Sequence, residues 1–154
     1  MVKSYQGAVI EKEKDTNNQL VLVSDWMTTR LITFKPEQPI YEVIDKLLSN
    51  RISGAPVVND KNEVVGVISE GDCLKEIVKG KYDNIPTLAG KVSDHMTTNV
   101  MTIEPSKNVF EVGQTFLNLR LRRLPVIDKF GKLIGQISQK DVMRAVRNMK
   151  SSTW

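Results

Sequence analysis

The fold is decided by the stretch Val23–Val78, VSDWMTTRLITFKPEQPIYEVIDKLLSNRISGAPVVNDKNEVVGVISEGDCLKEIV, because the chain contains it twice. The second copy, Val92–Arg147, reads VSDHMTTNVMTIEPSKNVFEVGQTFLNLRLRRLPVIDKFGKLIGQISQKDVMRAVR. It aligns with the first copy without a gap, at an offset of 69 residues, and the two copies have identical residues at 18 of the 56 positions. A repeat at a fixed offset predicts that each copy is one supersecondary unit that buries its apolar face against the other. Copies of this length are marginal alone, so we expect one body with approximate two-fold symmetry.

The apolar period changes along each copy. In the first copy, apolar residues over 40–48 recur at helical spacing directly after Pro39. Two short β-branched runs follow, separated by the turn-forming residues 59–62, and a second helix begins near Asp72. The chain is therefore predicted to be of the α/β (α+β) class, with two β-α-β-β-α repeats packed about a pseudo-two-fold axis. The predicted boundaries are an N-terminal extension at 1–22, repeat 1 at 23–78, a linker at 79–91 and repeat 2 at 92–150.

The composition excludes several classes of protein. The 154 residues contain no apolar run near the roughly 18 that a membrane span needs, and the start lacks the apolar stretch of a secretory signal. We therefore expect a cytoplasmic protein without a membrane partner. One cysteine, Cys73, and one histidine, His95, are too few for a disulfide framework, a structural zinc site or a nucleophile–base pair, so neither a metal nor an enzyme is expected. The net charge of +4 forms no continuous basic stripe, which makes nucleic acid an unlikely partner.

The phrase Gly-x-Ile-Ser-x-x-Asp follows the predicted hairpin of each copy, at residues 66–72 and 135–141. One interpretation is a capping box, with the serine at the N-cap and the aspartate at the third helical position. The other is that a strand ends against a helix N-terminus, where amide groups attract a phosphate and the aspartate binds the diol of a ribose. The spacing is compatible with both.

The copies differ just before their Pro-Val strands. Arg122 and Arg123 stand there in the second copy, and Ser53 and Gly54 occupy the same positions in the first. Arginine suits a phosphate because its planar fork donates two hydrogen bonds, whereas small residues leave room for a flat group against the backbone. Strand alternation would send the two arginines to opposite faces, so a shared anion requires irregular backbone at this point.

Together these motifs resemble a tandem pair of cystathionine-β-synthase (CBS) domains, the arrangement called a Bateman module. The resemblance covers both copies and implies an adenine nucleotide, AMP favoured over ADP or ATP, held as a regulatory ligand between the copies without catalysis. The implied nucleotide site consists of Ser24, Thr29, Ile52, Ser53, Gly54, Arg122, Arg123, Ser138 and Asp141. The implied second site, expected to be weaker because the bulky Arg122 lies on its adenine side, consists of Ser93, Thr98, Leu121, Ser69 and Asp72.

The predicted function is a small-molecule sensor that passes the presence of its nucleotide to an unknown protein target in trans. The resemblance also implies a homodimer. Two alternatives remain: a CBS interaction or dimerisation module without nucleotide affinity, and a receptor for cyclic di-AMP or S-adenosylmethionine.

Overall fold

The computed structural model describes residues 21–80 and 88–153, without the side chains of residues 150–153. The predicted extension lies outside the described residues except for Val21 and Leu22, and residues 81–87 of the predicted linker lie outside them as well. The elements are, in chain order, α1 (Val23–Trp26), α2 (Ile40–Asn50), β1 (Gly54–Val58), β2 (Val64–Ser69), α3 (Glu70–Ile77), a 3₁₀ turn (Val78–Gly80), α4 (Val92–His95), α5 (Val109–Leu119), β3 (Arg123–Ile127), β4 (Leu133–Ser138) and α6 (Gln139–Thr153).

Each repeat contains a two-stranded antiparallel hairpin between two helices. Strand β1 pairs with β2 from Gly54 opposite Ser69, and β3 pairs with β4 from Arg123 opposite Ser138. Helix α3 or α6 begins directly after the hairpin, and helix α2 or α5 precedes it. The mixed α+β class and the two equivalent repeats predicted from the sequence are confirmed.

The opening strand predicted for each repeat is reduced to one paired residue. Phe34 forms a single parallel bridge with Val57. The next backbone donor of such a ladder would be residue 36 and the preceding donor residue 56, and both are proline, which has no N–H. The second repeat has the equivalent bridge, from Ile103 to Val126, between Pro105 and Pro125.

The opening segments of the two repeats are exchanged. Val23, at the start of repeat 1, is fully buried in the apolar cluster of repeat 2, and Val92, at the start of repeat 2, is fully buried in the cluster of repeat 1. The loop that follows α1 also packs on the other repeat. Its Thr28 exchanges two backbone hydrogen bonds, of 2.8 and 2.9 Å, with Gln136 of β4. Each apolar core is therefore completed by a segment of the other repeat, which joins the repeats into one body.

A glycine in the second strand of each hairpin permits this exchange. A Cβ atom on Gly135 would lie 3.1 Å from the carbonyl oxygen of Thr28, and one on Gly66 would lie 2.9 Å from the carbonyl oxygen of Thr97. The methionine that precedes each threonine packs against the same glycine. Only a residue without a side chain admits so close a loop. This contact accounts for the Met-Thr opening and the strand glycine in both copies.

Candidate functional site

A cleft of about 590 Å³, here called the first cleft, lies where the two repeats meet. Repeat 1 contributes its opening loop, the end of α2 and the start of β1. Repeat 2 contributes the start of β3, the end of β4 and the start of α6. The cleft brings together six of the nine residues predicted for the nucleotide site: Ile52, Ser53, Gly54, Arg122, Arg123 and Ser138.

The first cleft is strongly cationic. Its lining includes Arg30, Arg51, Arg122, Arg123 and Lys140, and no Asp or Glu of the described residues contributes to it. None of the ion pairs within the described ranges involves any of these five side chains. A cleft lined by one sign of charge between low-dielectric walls concentrates ligands of the opposite sign. The site is therefore suited to an anion.

Irregular backbone brings both predicted arginines to the cleft. Helix α5 is capped at its C-terminus by Arg120, which adopts a left-handed conformation with a φ of 55°. Residues 121 and 122 belong to no strand, and β3 begins only at Arg123. Strand alternation therefore does not separate the two guanidinium groups, which is the condition for binding a shared anion. Helix α2 is capped in the same way by Arg51, with a φ of 54°, and this turn leads to Ser53 at the opposite wall.

Arg123 spans the cleft to the other repeat. Its Nη2 donates a hydrogen bond to Oγ of Ser53, and its Nη1 lies 2.9 Å from the position that a Cβ atom on Gly54 would take. Burial, and secondarily the neighbouring Arg122, lower the pKa of the Arg123 guanidinium, while Glu70 acts in the opposite direction. An arginine side chain stays protonated in proteins despite such shifts. Arg123 is thus a partly buried cation that lies on the small residues of repeat 1.

The Ser-x-x-Asp motifs form caps at the starts of α3 and α6. Oδ2 of Asp141 accepts hydrogen bonds from the backbone N (2.8 Å) and Oγ (3.0 Å) of Ser138, and its Oδ1 forms an ion pair with Arg144. Asp72 and Ser69 form the same two hydrogen bonds, at 2.9 and 3.0 Å. Asp141 is only 2% exposed and does not line the first cleft, whereas Ser138 does. The structure therefore shows the capping interpretation, with the aspartate behind its serine.

Two further predicted residues lie away from the lining. Ser24 and Thr29 are exposed and do not line the first cleft, and Thr28 lines it instead. Thr28 is held there by its backbone pairing with Gln136. Arg30 and Ile32 of the same segment line the cleft as well, but so does Leu31, so simple alternation does not mark the lining residues. The other lining residues that were missed are Leu31, Arg51, Ala55, Gln136, Gln139, Lys140 and Met143.

A second cleft, of about 520 Å³, occupies the pseudo-symmetric position. Its lining is mostly apolar, and Arg123 is its one cationic residue among those the structure describes. Asn99 replaces Arg30, and Val67 replaces Gln136. Of the residues predicted for the second site, the cleft includes Leu121. It does not include Ser93, Thr98, Ser69 or Asp72.

Neither Cys73 nor His95 lines a cleft. Cys73 is buried in the apolar cluster of repeat 1, and burial raises the pKa of its thiol. His95 contacts Glu76 of α3. Within residues 21–80 and 88–153, no group of three or more His, Cys, Asp or Glu side chains is placed to hold a metal ion.

None of the helices in the described part of the chain is both long enough and apolar enough to cross a bilayer.

Comparison with known sequences identifies related proteins. The sequence model of the CBS domain matches residues 23–79 and 92–148. An uncharacterized protein of Methanocaldococcus jannaschii is 28% identical over 84% of this chain and 94% of its own length. The CBS domain-containing protein CBSX2 of Arabidopsis thaliana, described as chloroplastic, is 30% identical over 85% of this chain. The match spans only 66% of the Arabidopsis protein.

Solved structures share the same fold. A crystal structure of CBSX2 in complex with AMP superposes with a TM-score of 0.71 at 30% identity, over 84% of this chain and 98% of that one. The CBS domain pair of protein MJ0100, in complex with 5′-methylthioadenosine and S-adenosyl-L-methionine, also gives a TM-score of 0.71. It is 23% identical over 84% of this chain and 98% of that chain, a likeness that shows the fold alone.

Proposed function

This chain belongs to the CBS-domain family, and on that premise we propose that it is a regulatory sensor that binds an adenine nucleotide, AMP in the first instance, in the first cleft. The observation that carries the proposal is the group of five cationic side chains that line the cleft without ion-pair partners among the described residues. The AMP bound to the Arabidopsis relative supports the choice of ligand.

The lining of the first cleft suits both parts of a nucleotide. Ile52 offers an apolar surface to a purine ring, beside the small residues Ser53 and Gly54. Arg122 and Lys140 offer cationic groups to a phosphate, which arginine binds through a planar pair of donors. AMP has one flat apolar part and one dianionic part, so a single molecule suits both kinds of lining.

The ribose is proposed to meet the cap of α6. The Oγ of Ser138 lies at the cleft wall, and Asp141 stands behind it. Because Oδ2 of Asp141 is engaged by Ser138, a ribose hydroxyl would compete with Arg144 for Oδ1. Asp141 is therefore proposed as a ribose ligand that also caps its helix.

Occupancy of the cleft would be transmitted through the exchanged segments. Thr28 lines the cleft and is also bonded to Gln136 of the other repeat, so a ligand there contacts the junction that holds the repeats together. A ligand changes such an equilibrium by as much as its affinity differs between the two arrangements. We propose that a protein target in trans responds to this change and that the module itself performs no catalysis. The predicted cytoplasmic location stays a prediction.

A second copy of the chain is the proposed occupant of the exposed helical face. Large apolar side chains stand exposed at equivalent positions of the two repeats, as with Leu48 (74% exposed) and Leu117 (72%), and Tyr41 and Phe110 repeat the pattern. Large apolar side chains that form an exposed patch are typical of an interaction site. Because α2 and α5 each carry such a pair of side chains, another copy presents a matching pair of patches. This supports the homodimer expected from the sequence.

Isothermal titration calorimetry on protein freed of bound nucleotide tests the proposed function. AMP, ADP, ATP, S-adenosylmethionine, cyclic di-AMP and GMP are compared, and we expect AMP to bind and GMP not to bind. Arg30→Ala should weaken AMP binding by about tenfold, the loss of one charge-assisted contact. Lys129→Ala, which removes a cation outside both clefts, is the matched control and should leave the affinity unchanged. Tighter binding of cyclic di-AMP or S-adenosylmethionine would replace AMP as ligand, and no binding at all would favour an interaction module.

A further inference from the structure

The Arg123 guanidinium occupies the part of the first cleft that the proposed function assigns to the base. Its Nη2 is bonded to Oγ of Ser53, and its Nη1 lies 2.9 Å from the point where a Cβ atom on Gly54 would stand. Ser53 and Gly54 are the small residues on this side of the cleft, and a Cβ atom on Gly54 would also lie 2.9 Å from the carbonyl oxygen of Ile68. In this structure, the guanidinium of the opposite repeat fills the space beside them.

The surroundings of Arg123 favour movement of its guanidinium away from Ser53 when an anion binds in the cleft. The side chain is partly buried, and it takes part in none of the ion pairs within the described ranges. Its partner is the neutral hydroxyl of Ser53. A phosphate carries negative charge and can accept two bonds from the planar fork of the guanidinium, so it is a better partner for this cation than the single neutral hydroxyl of Ser53.

We propose that Arg123 is a gate that determines specificity: it covers the base side of the first cleft until a phosphate draws its guanidinium away. This inference rests on the proposed function and adds a rule of selection to it. A nucleoside must displace the guanidinium and offers no anion in return. A nucleotide displaces it and supplies an anion that the guanidinium can bind directly. The cleft therefore discriminates against adenosine more strongly than the loss of phosphate contacts alone would require.

The test compares adenosine and AMP on wild-type protein and on two arginine variants. Arg123→Ala should lower the Kd of adenosine by about fivefold, because the hydrogen bond to Ser53 no longer has to be broken. The same variant should raise the Kd of AMP by about tenfold, since one charge-assisted contact is lost. Arg122→Ala is the matched control. It removes a neighbouring cation of the same cleft that does not cover Gly54, so it should weaken AMP and leave adenosine unchanged.

Arg123→Lys tests the covering of Gly54 by the guanidinium separately from the positive charge of the side chain. Lysine keeps the positive charge but lacks the planar fork that reaches Ser53 while lying over Gly54. We expect adenosine to bind more tightly than to wild type and AMP to bind within about threefold of wild type, since much of a phosphate contact is electrostatic. This variant also serves if Arg123→Ala fails to fold, which circular dichroism of each preparation reveals.

The outcomes distinguish the gate from the function on which it rests. If wild type binds AMP but neither Arg123 variant binds adenosine more tightly than wild type does, the gate is overturned and the proposed function stands. If Arg122→Ala improves adenosine binding as much as Arg123→Ala, general electrostatics replaces the gate. If wild type binds no AMP, the proposed function fails, and the gate with it.

Discussion

The buried carboxylate of Glu76 and the imidazole of His95 form a polar contact of 2.7 Å between Oε1 and Nε2, at a place where the other repeat is apolar. Oε2 of Glu76 accepts a hydrogen bond of 2.8 Å from the backbone N of Gly90, and Lys79 pairs with the same carboxylate at 3.1 Å. Glu76 therefore anchors the backbone that leads into α4. The positions equivalent to Glu76, His95 and Gly90 pack in the apolar cluster of repeat 2 and are Ala145, Trp26 and Val21.

Replacing this carboxylate should be costly. Glu76→Ala leaves the N–H of Gly90 and the ring of His95 without their buried partner, so we expect the free energy of unfolding to fall by about 3 kcal/mol. Urea denaturation measures the change. His95→Trp and Gly90→Val, added to Glu76→Ala, recreate the apolar set of the other repeat and should recover part of the loss. An equal stability of Glu76→Ala and wild type would show that the contact contributes nothing.

Gly90 and Glu76 should be energetically coupled. A Cβ atom on Gly90 would overlap the carboxylate of Glu76, and Gly90 itself has no positive φ that would disfavour alanine. Gly90→Ala should therefore destabilise wild type and be nearly neutral in a Glu76→Ala background, with a coupling free energy above about 1 kcal/mol. A double-mutant cycle from denaturation curves gives this number. Simple additivity of the two substitutions would contradict the packing described.

The left-handed arginines at the ends of α2 and α5 offer a matched pair of substitutions. A non-glycine residue in this conformation is strained, so Arg51→Gly and Arg120→Gly should each raise the free energy of unfolding by about 0.5 to 1 kcal/mol. Only Arg51 lines the first cleft. Arg51→Gly should therefore weaken AMP binding while Arg120→Gly does not. Thermal denaturation measures the stability of both variants, and calorimetry on the same preparations measures their affinity for AMP. Loss of AMP binding in both variants would contradict the assignment of AMP to the first cleft.

The two capping aspartates provide another internal control. Asp141→Asn and Asp72→Asn each keep an acceptor for the capping serine but lose the charge at a helix N-terminus, so each should lose about 1 kcal/mol of stability. Asp141→Asn should in addition weaken AMP by about tenfold, because its carboxylate is the proposed ribose ligand. Calorimetry that finds Asp72→Asn equally harmful to binding would contradict the assignment of the ribose to Asp141.

The exposed helical face should control the oligomeric state. Leu48→Glu with Leu117→Glu places charges in both apolar patches, and we expect a monomer by sedimentation velocity where wild type sediments as a dimer. Phe130→Glu is the matched control, since Phe130 is 68% exposed but lies on the turn between β3 and β4. A dimer that survives the leucine substitutions would place the interface elsewhere.

The sequence predicted what depends on local pattern. Helical spacing located α2 and α5, and β-branched runs around a turn located the hairpins. The exchange of opening segments was not predicted, because Val23 and Val92 occupy equivalent positions in the two copies and self-comparison does not reveal which core each enters. Glu76 was missed for a similar reason: on a helical face it is typical of a solvated charge, and only the approach of Gly90 and His95 buries it.

The candidate site was predicted in part. Residues set by the repeat itself, such as Ser53, Arg123 and Ser138, meet in the first cleft. Lys140 was missed because its place depends on how α6 of repeat 2 faces the opening loop of repeat 1, a relation between repeats that spacing within one copy does not contain. The position of Asp141 behind its serine is likewise a matter of side-chain hydrogen bonding, which the spacing of the motif does not decide.

The most direct test of the central claim is an NMR titration of ¹⁵N-labelled protein with AMP, followed amide by amide. A nucleotide in the first cleft predicts saturable shifts at Ser53, Gly54, Arg123 and Ser138, with residues 99–101 and 119 of the second cleft little changed. Shifts confined to the second cleft, or none at all in protein free of bound nucleotide, would contradict the account.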